Sequence, residues 1–170
     1  MMRVGIIGFG FMGRMHHRCW RALPDVRIVA LCDPDAAALQ SGGGPRGNIA
    51  GASEVVDLSG VALYTDPAEL FARERLDAVS ITVPTHLHAD VSVRALEAGA
   101  HVLCEKPMAL SCAEGRRMLD AAARAGRHLQ IGHCIRFWPE YVKAREIVTD
   151  GAFGRVISAA FRRFSATART

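Results

Sequence analysis

Apolar runs broken by glycine and proline alternate with amphipathic stretches along most of the chain. Val4 to Ile7 is a short apolar run, followed by glycines and a predicted helix from Phe11 to about Leu23, stopped by Pro24. Val26 to Cys32 is apolar almost throughout, the pattern of a strand buried on both faces. Asp35 to Gln40 reads as a short helix, and Ser41 to Gly60, which opens SGGGPRGN, as a mobile surface loop. A third strand is expected at Ala62 to Tyr64. A helix follows at Pro67 to Arg73, with Asp66 as its cap and proline at its first position, and then a fourth strand at Ala78 to Val83. The next helix runs from about His86 to Ala98 and ends at Gly99, before a fifth strand at His101 to Cys104. Ser111 and Glu114 have capping-box spacing and open a helix to Ala125, closed by Gly126. A sixth strand is placed at His128 to Gly132.

Six strands joined by crossovers make a doubly wound parallel α/β sheet. Beyond it, Pro139 to Asp150 predicts one more helix, and Arg155 to Phe164 has strand character but no partner in the sequence. An unpaired strand edge recruits another chain, so a homo-oligomer through this strand is expected. The domain limits are set at 1–132 for the sheet and 133–170 for the junction helix and the first strand of a second, α+β domain.

Composition narrows the picture. Half of the 170 residues are hydrophobic, 22% are charged and 6% aromatic, which supports a packed core and argues against disorder. There is no apolar run of 18 residues, and the glycine-rich N-terminus does not resemble a signal peptide. A soluble, cytoplasmic protein without membrane contact is expected. The net charge of +4 comes from Arg155, Arg162, Arg163 and Arg169, because residues 1–150 hold 17 acids and 17 bases. No aromatic residues interleave with a basic patch, which argues against a nucleic-acid partner. Five cysteines without a C-x-x-C pair fit reduced thiols, most of them in the core. With 19 arginines against only Lys106 and Lys143, a retained lysine suggests chemistry that needs an amine able to lose its proton.

The chemistry concentrates at strand ends. Gly8-Phe9-Gly10-Phe11-Met12-Gly13 is a G-x-G-x-x-G run directly after the first strand, and Asp33 stands 20 residues after Gly13 at the end of the second. In that context Gly8 permits the tight turn, Gly10 lets the backbone approach a pyrophosphate, and Gly13 allows close helix–strand packing. Asp33 would accept hydrogen bonds from a ribose. This is the Rossmann dinucleotide pattern, and a carboxylate at Asp33 favours NAD over NADP, although Arg14 or a residue of the glycine-rich loop stands within reach of a 2′-phosphate. Pro84, Thr85 and His88 belong to a turn that lines the same cleft. Glu105-Lys106-Pro107 follows the fifth strand, where Lys106 is a candidate proton carrier or ligand clamp. His86, His88 and Asp90 imitate an H-x-H-x-D metal motif, but residues two apart on a helix point to different faces, so no metal is assigned. His16 and His17 lie about 100° apart on the first helix, which leaves at most one of them facing the ligand.

Taken in order, the glycine motif, Asp33, VPTHLH, CEKPMAL and GHCIRFWPEY resemble the glucose-fructose oxidoreductase, inositol dehydrogenase and MocA family over essentially the whole chain. Val83 and Thr85 depart from that family's T-P-N-x-x-H turn. The resemblance implies an NAD(P)-dependent oxidoreductase acting on a sugar, polyol or related alcohol, with the lysine role falling on Lys106. It places Gly8, Phe9, Gly10, Phe11, Met12, Gly13, Asp33, Pro84, Thr85, His88, Glu105 and Lys106 around the cofactor, and Arg136 and Trp138 on the substrate side. It also implies a second half with a catalytic D-x-x-x-H, whereas the last histidine here is His133 and the last acid Asp150. The chain is therefore expected to represent the cofactor-binding half. A dinucleotide-binding module without catalysis, acting as a sensor or partner-binding protein, is the alternative.

Overall fold

The computed structural model describes residues 1–40 and 56–162; most of the glycine-rich segment expected to be a mobile loop lies outside them. The chain separates into two units, Met1–Gly132 and a second beginning at His133. The first holds six strands: β1 (Met2–Ile7), β2 (Val26–Cys32), β3 (Ala62–Tyr64), β4 (Ala78–Ile81), β5 (His101–Cys104) and β6 (Leu129–Ile131). Between them run α1 (Phe11–Arg21), α2 (Ala36–Gln40), α3 (Pro67–Arg73), α4 (His88–Glu97) and α5 (Cys112–Ala125). All strand pairs are parallel, in the order β3-β2-β1-β4-β5-β6. The order reverses between β1 and β4, and the carboxyl ends of these two strands form the switch point where open α/β sheets bind ligands.

Burial explains the sequence pattern. The last five residues of β2 and all four of β4 are buried, because helices cover both faces of the sheet. One face packs Val79, Ile81 and Val102 against Leu70 of α3, Ala95 and Leu96 of α4 and Met118 of α5. The other gathers Ile6, Phe9, Ile28, Leu31 and Leu39, with Trp20 of α1 against them. Ser80 is fully buried, its hydroxyl bonded to side chains of α1.

The helix signals act as read. The Asp66 carboxylate accepts the Ala68 N–H at 2.8 Å with Pro67 in the first turn, which satisfies one of the N–H groups a helix start leaves open. Ser111 and Glu114 form a reciprocal capping box, and Gly126 closes α5 at φ 61°, a left-handed conformation that costs glycine nothing. The helix expected from His86 begins instead as a 3-10 turn, Thr85–Leu87, and becomes α4 at His88.

The second unit has a 3-10 turn (Cys134–Phe137) and helix α6 (Pro139–Thr149). The strand expected at Arg155 to Phe164 is not formed: residues 155–162 are in no ladder, and the remaining two positions lie outside the described residues. A strand draws its hydrogen bonds from a neighbour, and none among the described residues pairs with this segment. The assembly expected through that strand therefore has no formed edge among the described residues. The thiols also depart from expectation. Only Cys32 and Cys104 are in the core, while Cys19, Cys112 and Cys134 are exposed. Among the described residues no helix is long and apolar enough to cross a membrane.

His17 on α1 is buried edge-on against the Phe9 ring, with centroids 5.9 Å apart. Burial, and then the charges of Arg21 and Arg14, depress its pKa from 6.5 to about 4. An unfolded chain binds this proton from about pH 6.5 downward, whereas the folded chain does not until about pH 4. Stability is thus expected to fall as pH drops through that window. Urea midpoints measured from pH 7 to pH 4 should decline in the parent and decline less in His17→Gln; equal slopes would remove His17 as a source of acid lability.

Candidate functional site: a dinucleotide cleft

The turn from β1 to α1 sits at the switch point, and its three glycines have three different physical reasons. Gly8 has φ 90°, and a β-carbon there would lie 2.7 Å from the Thr82 and Val83 backbone. A β-carbon on Gly13 would lie 2.1 Å from the Gly8 carbonyl oxygen, so only glycine lets α1 start this close to the strand. At Gly10 nothing stands within 4 Å of the β-carbon position, which leaves a space over the backbone at the start of α1. The Gly8 N–H donates to the Cys32 carbonyl at 2.8 Å and its carbonyl accepts the Thr82 hydroxyl, fixing the turn to β2 on one side and β4 on the other.

Asp33 follows β2 beside this turn. One carboxylate oxygen accepts the Phe9 N–H at 2.6 Å and the other the Asp35 N–H at 2.9 Å, which holds the carboxylate in a single orientation. Each oxygen keeps a lone pair for a further donor. Arg14 is buried with its guanidinium 4.6 Å above the Phe9 ring. Burial lowers its pKa while the charge of nearby Asp33 acts in the opposite direction. Arg14, one of the groups expected within reach of a 2′-phosphate, is thus packed into the fold; the glycine-rich segment, the other, lies mostly outside the described residues.

Glu105 and Lys106 follow β5, Lys106 exposed and Glu105 half-buried. The Lys106 N–H donates to the Glu105 carboxylate at 3.0 Å. A hydrogen bond from His16, and then that from the Lys106 N–H, hold the Glu105 carboxyl below its ordinary range against the opposing effect of burial.

Two expected cofactor residues are placed differently. The Phe9 side chain is 1% exposed in the core and its N–H is taken by Asp33. His88 is also 1% exposed, with its ring nitrogens 2.8 Å from the Pro107 carbonyl and 2.9 Å from that of Val83. No ring nitrogen of His88 is left for a ligand; it ties the turn after β4 to the turn after β5. Phe11, Met12 and Thr85 are partly exposed, and Pro84 is exposed. In the second unit Arg136 and Trp138 are exposed, the latter edge-on to Tyr141 at 6.4 Å. Sequence reasoning did not find Ser80, Trp20 and Thr82. A polar residue inside an otherwise apolar strand was the available signal for Ser80.

The open space at Gly10, the α1 N-terminus and the oriented Asp33 carboxylate fit a dinucleotide, with backbone N–H groups for the pyrophosphate and an acceptor for a ribose. Residues 2–133 match an oxidoreductase family with an NAD-binding Rossmann fold, that of Gfo, Idh and MocA. The chain belongs to the Gfo/Idh/MocA family. Among relatives, a D-apiose dehydrogenase from Paraburkholderia graminis is 34% identical over 88% of this chain and 36% of its own length. Inositol 2-dehydrogenase 4 from Saccharopolyspora erythraea is 34% identical over 91% and 43%. Of the solved structures, the WlbA dehydrogenase from Bordetella pertussis, in complex with NADH and UDP-GlcNAcA, superposes with a TM-score of 0.77. It is 26% identical and aligns over 91% of this chain and 43% of its own. The chain spans less than half the length of these Gfo/Idh/MocA proteins.

The glycines give a paired prediction. Gly13→Ala should destabilise the fold by about 3 kcal/mol through overpacking against the Gly8 carbonyl. Gly10→Ala should change stability by less than about 1 kcal/mol yet weaken NADH binding at least roughly tenfold. Urea unfolding and fluorescence titration check the two halves, and comparable NADH affinity for Gly10→Ala and the parent would exclude the proposed approach of the pyrophosphate.

Proposed function

We propose that this chain is the dinucleotide-holding part of an NAD-dependent dehydrogenase that acts on the CH–OH group of a sugar, polyol or related alcohol. The observation that carries this reading is the Asp33 carboxylate, oriented by two backbone N–H groups beside an open glycine turn at the sheet's switch point. The relatives named above, dehydrogenases of apiose and inositol, point to the same substrate class.

Gly8, Gly10 and Gly13 shape the backbone that receives the pyrophosphate at the start of α1, flanked by Phe11 and Met12. Asp33 accepts the adenosine ribose hydroxyls and repels a 2′-phosphate, which makes NAD the preferred cofactor over NADP. Pro84 and Thr85 border the cleft from the turn after β4, and Glu105 holds the main chain of Lys106. A nicotinamide held by these residues would supply the hydride acceptor for the alcohol carbon. The chain's own part is proton handling: the Lys106 amine takes the hydroxyl proton as the alcohol becomes a carbonyl, and returns it in the reverse direction.

Titration with NADH and NADPH, followed by energy transfer from tryptophan, tests the cofactor assignment. Asp33→Ala should weaken NADH about tenfold and narrow its advantage over NADPH; an unaltered ratio counts against the ribose contact. For Lys106→Ala, NADH affinity should stay within about threefold while kcat for polyol oxidation falls about 100-fold. An unchanged kcat removes Lys106 from the mechanism.

A further inference from the structure

Beneath the cleft, a chain of hydrogen bonds joins α1 to the lysine turn. The Trp20 indole N–H donates to the Ser80 hydroxyl at 2.8 Å, and the same oxygen lies 3.0 Å from His16 Nδ1. His16 Nε2 lies 3.3 Å from Glu105 Oε1, while Glu105 Oε2 accepts the Lys106 N–H at 3.0 Å. Both ends of this path are otherwise separate pieces of the fold: α1 belongs to the glycine turn, and Glu105 follows β5.

The donors and acceptors can be assigned in one direction. An indole nitrogen only donates, so Ser80 accepts from Trp20 and has its own hydrogen left to place. Ser80 is fully buried, so that hydrogen needs an acceptor, and His16 Nδ1 supplies it. His16 then carries its proton on Nε2 and donates to Glu105. Every hydrogen along Trp20, Ser80, His16, Glu105 and the Lys106 amide then has one place.

We propose that His16 is a positioning residue: through Glu105 it ties the main chain of Lys106 to α1, so the lysine turn is held in place by the helix that receives the dinucleotide. The functional weight of this tie rests on the proton role proposed for Lys106, but the tie itself is a property of the folded chain. It also accounts for the low range of the Glu105 carboxyl, for which the His16 hydrogen bond is the largest cause. The charged or titratable groups acting on Glu105 are His16 from α1 and Lys106 from its own turn.

NMR on the 15N-labelled chain tests the proposal without turnover. In the parent, the His16 ring nitrogens should report the Nε2–H tautomer, and the Lys106 amide should titrate with Glu105 below the ordinary carboxyl range. In His16→Ala, and in His16→Asn, whose side chain is too short to reach Glu105, that midpoint should rise. The Lys106 amide should also exchange with solvent about tenfold faster. His16→Gln, which can offer an amide N–H to Glu105, should restore much of the protection. Should His16→Ala not fold, His16→Asn against His16→Gln carries the test. An Nδ1–H tautomer, or a Lys106 amide that exchanges and titrates alike in the parent and the folded His16→Asn, overturns the proposal. Turnover separates this from the role of Lys106. If His16→Asn shows the NMR changes with unaltered kcat, the tie stands and turnover does not depend on it, while Lys106→Ala alone decides the proton role. If kcat drops with NADH affinity unchanged, both stand.

Discussion

The carbonyl of Gly8 is hemmed in from two directions: the Thr82 hydroxyl bonds it, and Gly13 comes so close that a single added carbon would lie 2.1 Å away. This contact sets how α1 leaves the sheet. Because the helix starts against the strand, its second turn carries His16 over Ser80 in β4, and its third brings Trp20 to the same hydroxyl. A helix displaced by the width of a methyl group would lose both contacts. The Asp33 carboxylate is held by the same turn through the Phe9 N–H. Cofactor cleft and lysine turn thus inherit their geometry from one close approach between two glycines.

The balance of forces around this contact is uneven. The apolar clusters on the two sheet faces supply the bulk of the driving force for folding, in proportion to the area they bury. They are indifferent to the placement of single polar atoms. Placement comes from a small number of directed bonds: Asp33 to two N–H groups, Thr82 to Gly8, and His88 between the carbonyls of Val83 and Pro107. The last of these braces the turn after β4 against the turn after β5, so two loops that border the cleft share one buried ring.

What the amino-acid sequence disclosed follows the same division. Elements whose signals are local were legible: β2 from its nearly continuous apolar run, α3 from Asp66 and Pro67, and α5 from the Ser111–Glu114 box and Gly126. The glycine turn and Asp33 were legible because their spacing encodes a single known geometry. Where identity depends on distant partners, the pattern misled. His88 looked like a cleft residue and is a buried brace, since the carbonyls that claim it lie 5 and 19 residues away. Arg155 to Phe164 has the composition of a strand, but a ladder needs a neighbour, and composition carries no information on whether one is present. His16 could not be told from His17 without knowing how the helix is turned over β4.

The cysteines show one more effect of how the sheet is filled. Cys32 and Cys104 end β2 and β5 beside the cleft, and burial pushes their thiols up to about 12 and about 11. At neutral pH they carry almost no thiolate, the form that reacts with electrophiles. Cys19, Cys112 and Cys134 stand on the surface. The fold therefore keeps its thiols in two populations, a chemically silent pair next to the cleft and an accessible set on the helices and the second unit. A dye or a spin label can be attached to the second set while the residues around the dinucleotide remain unmodified.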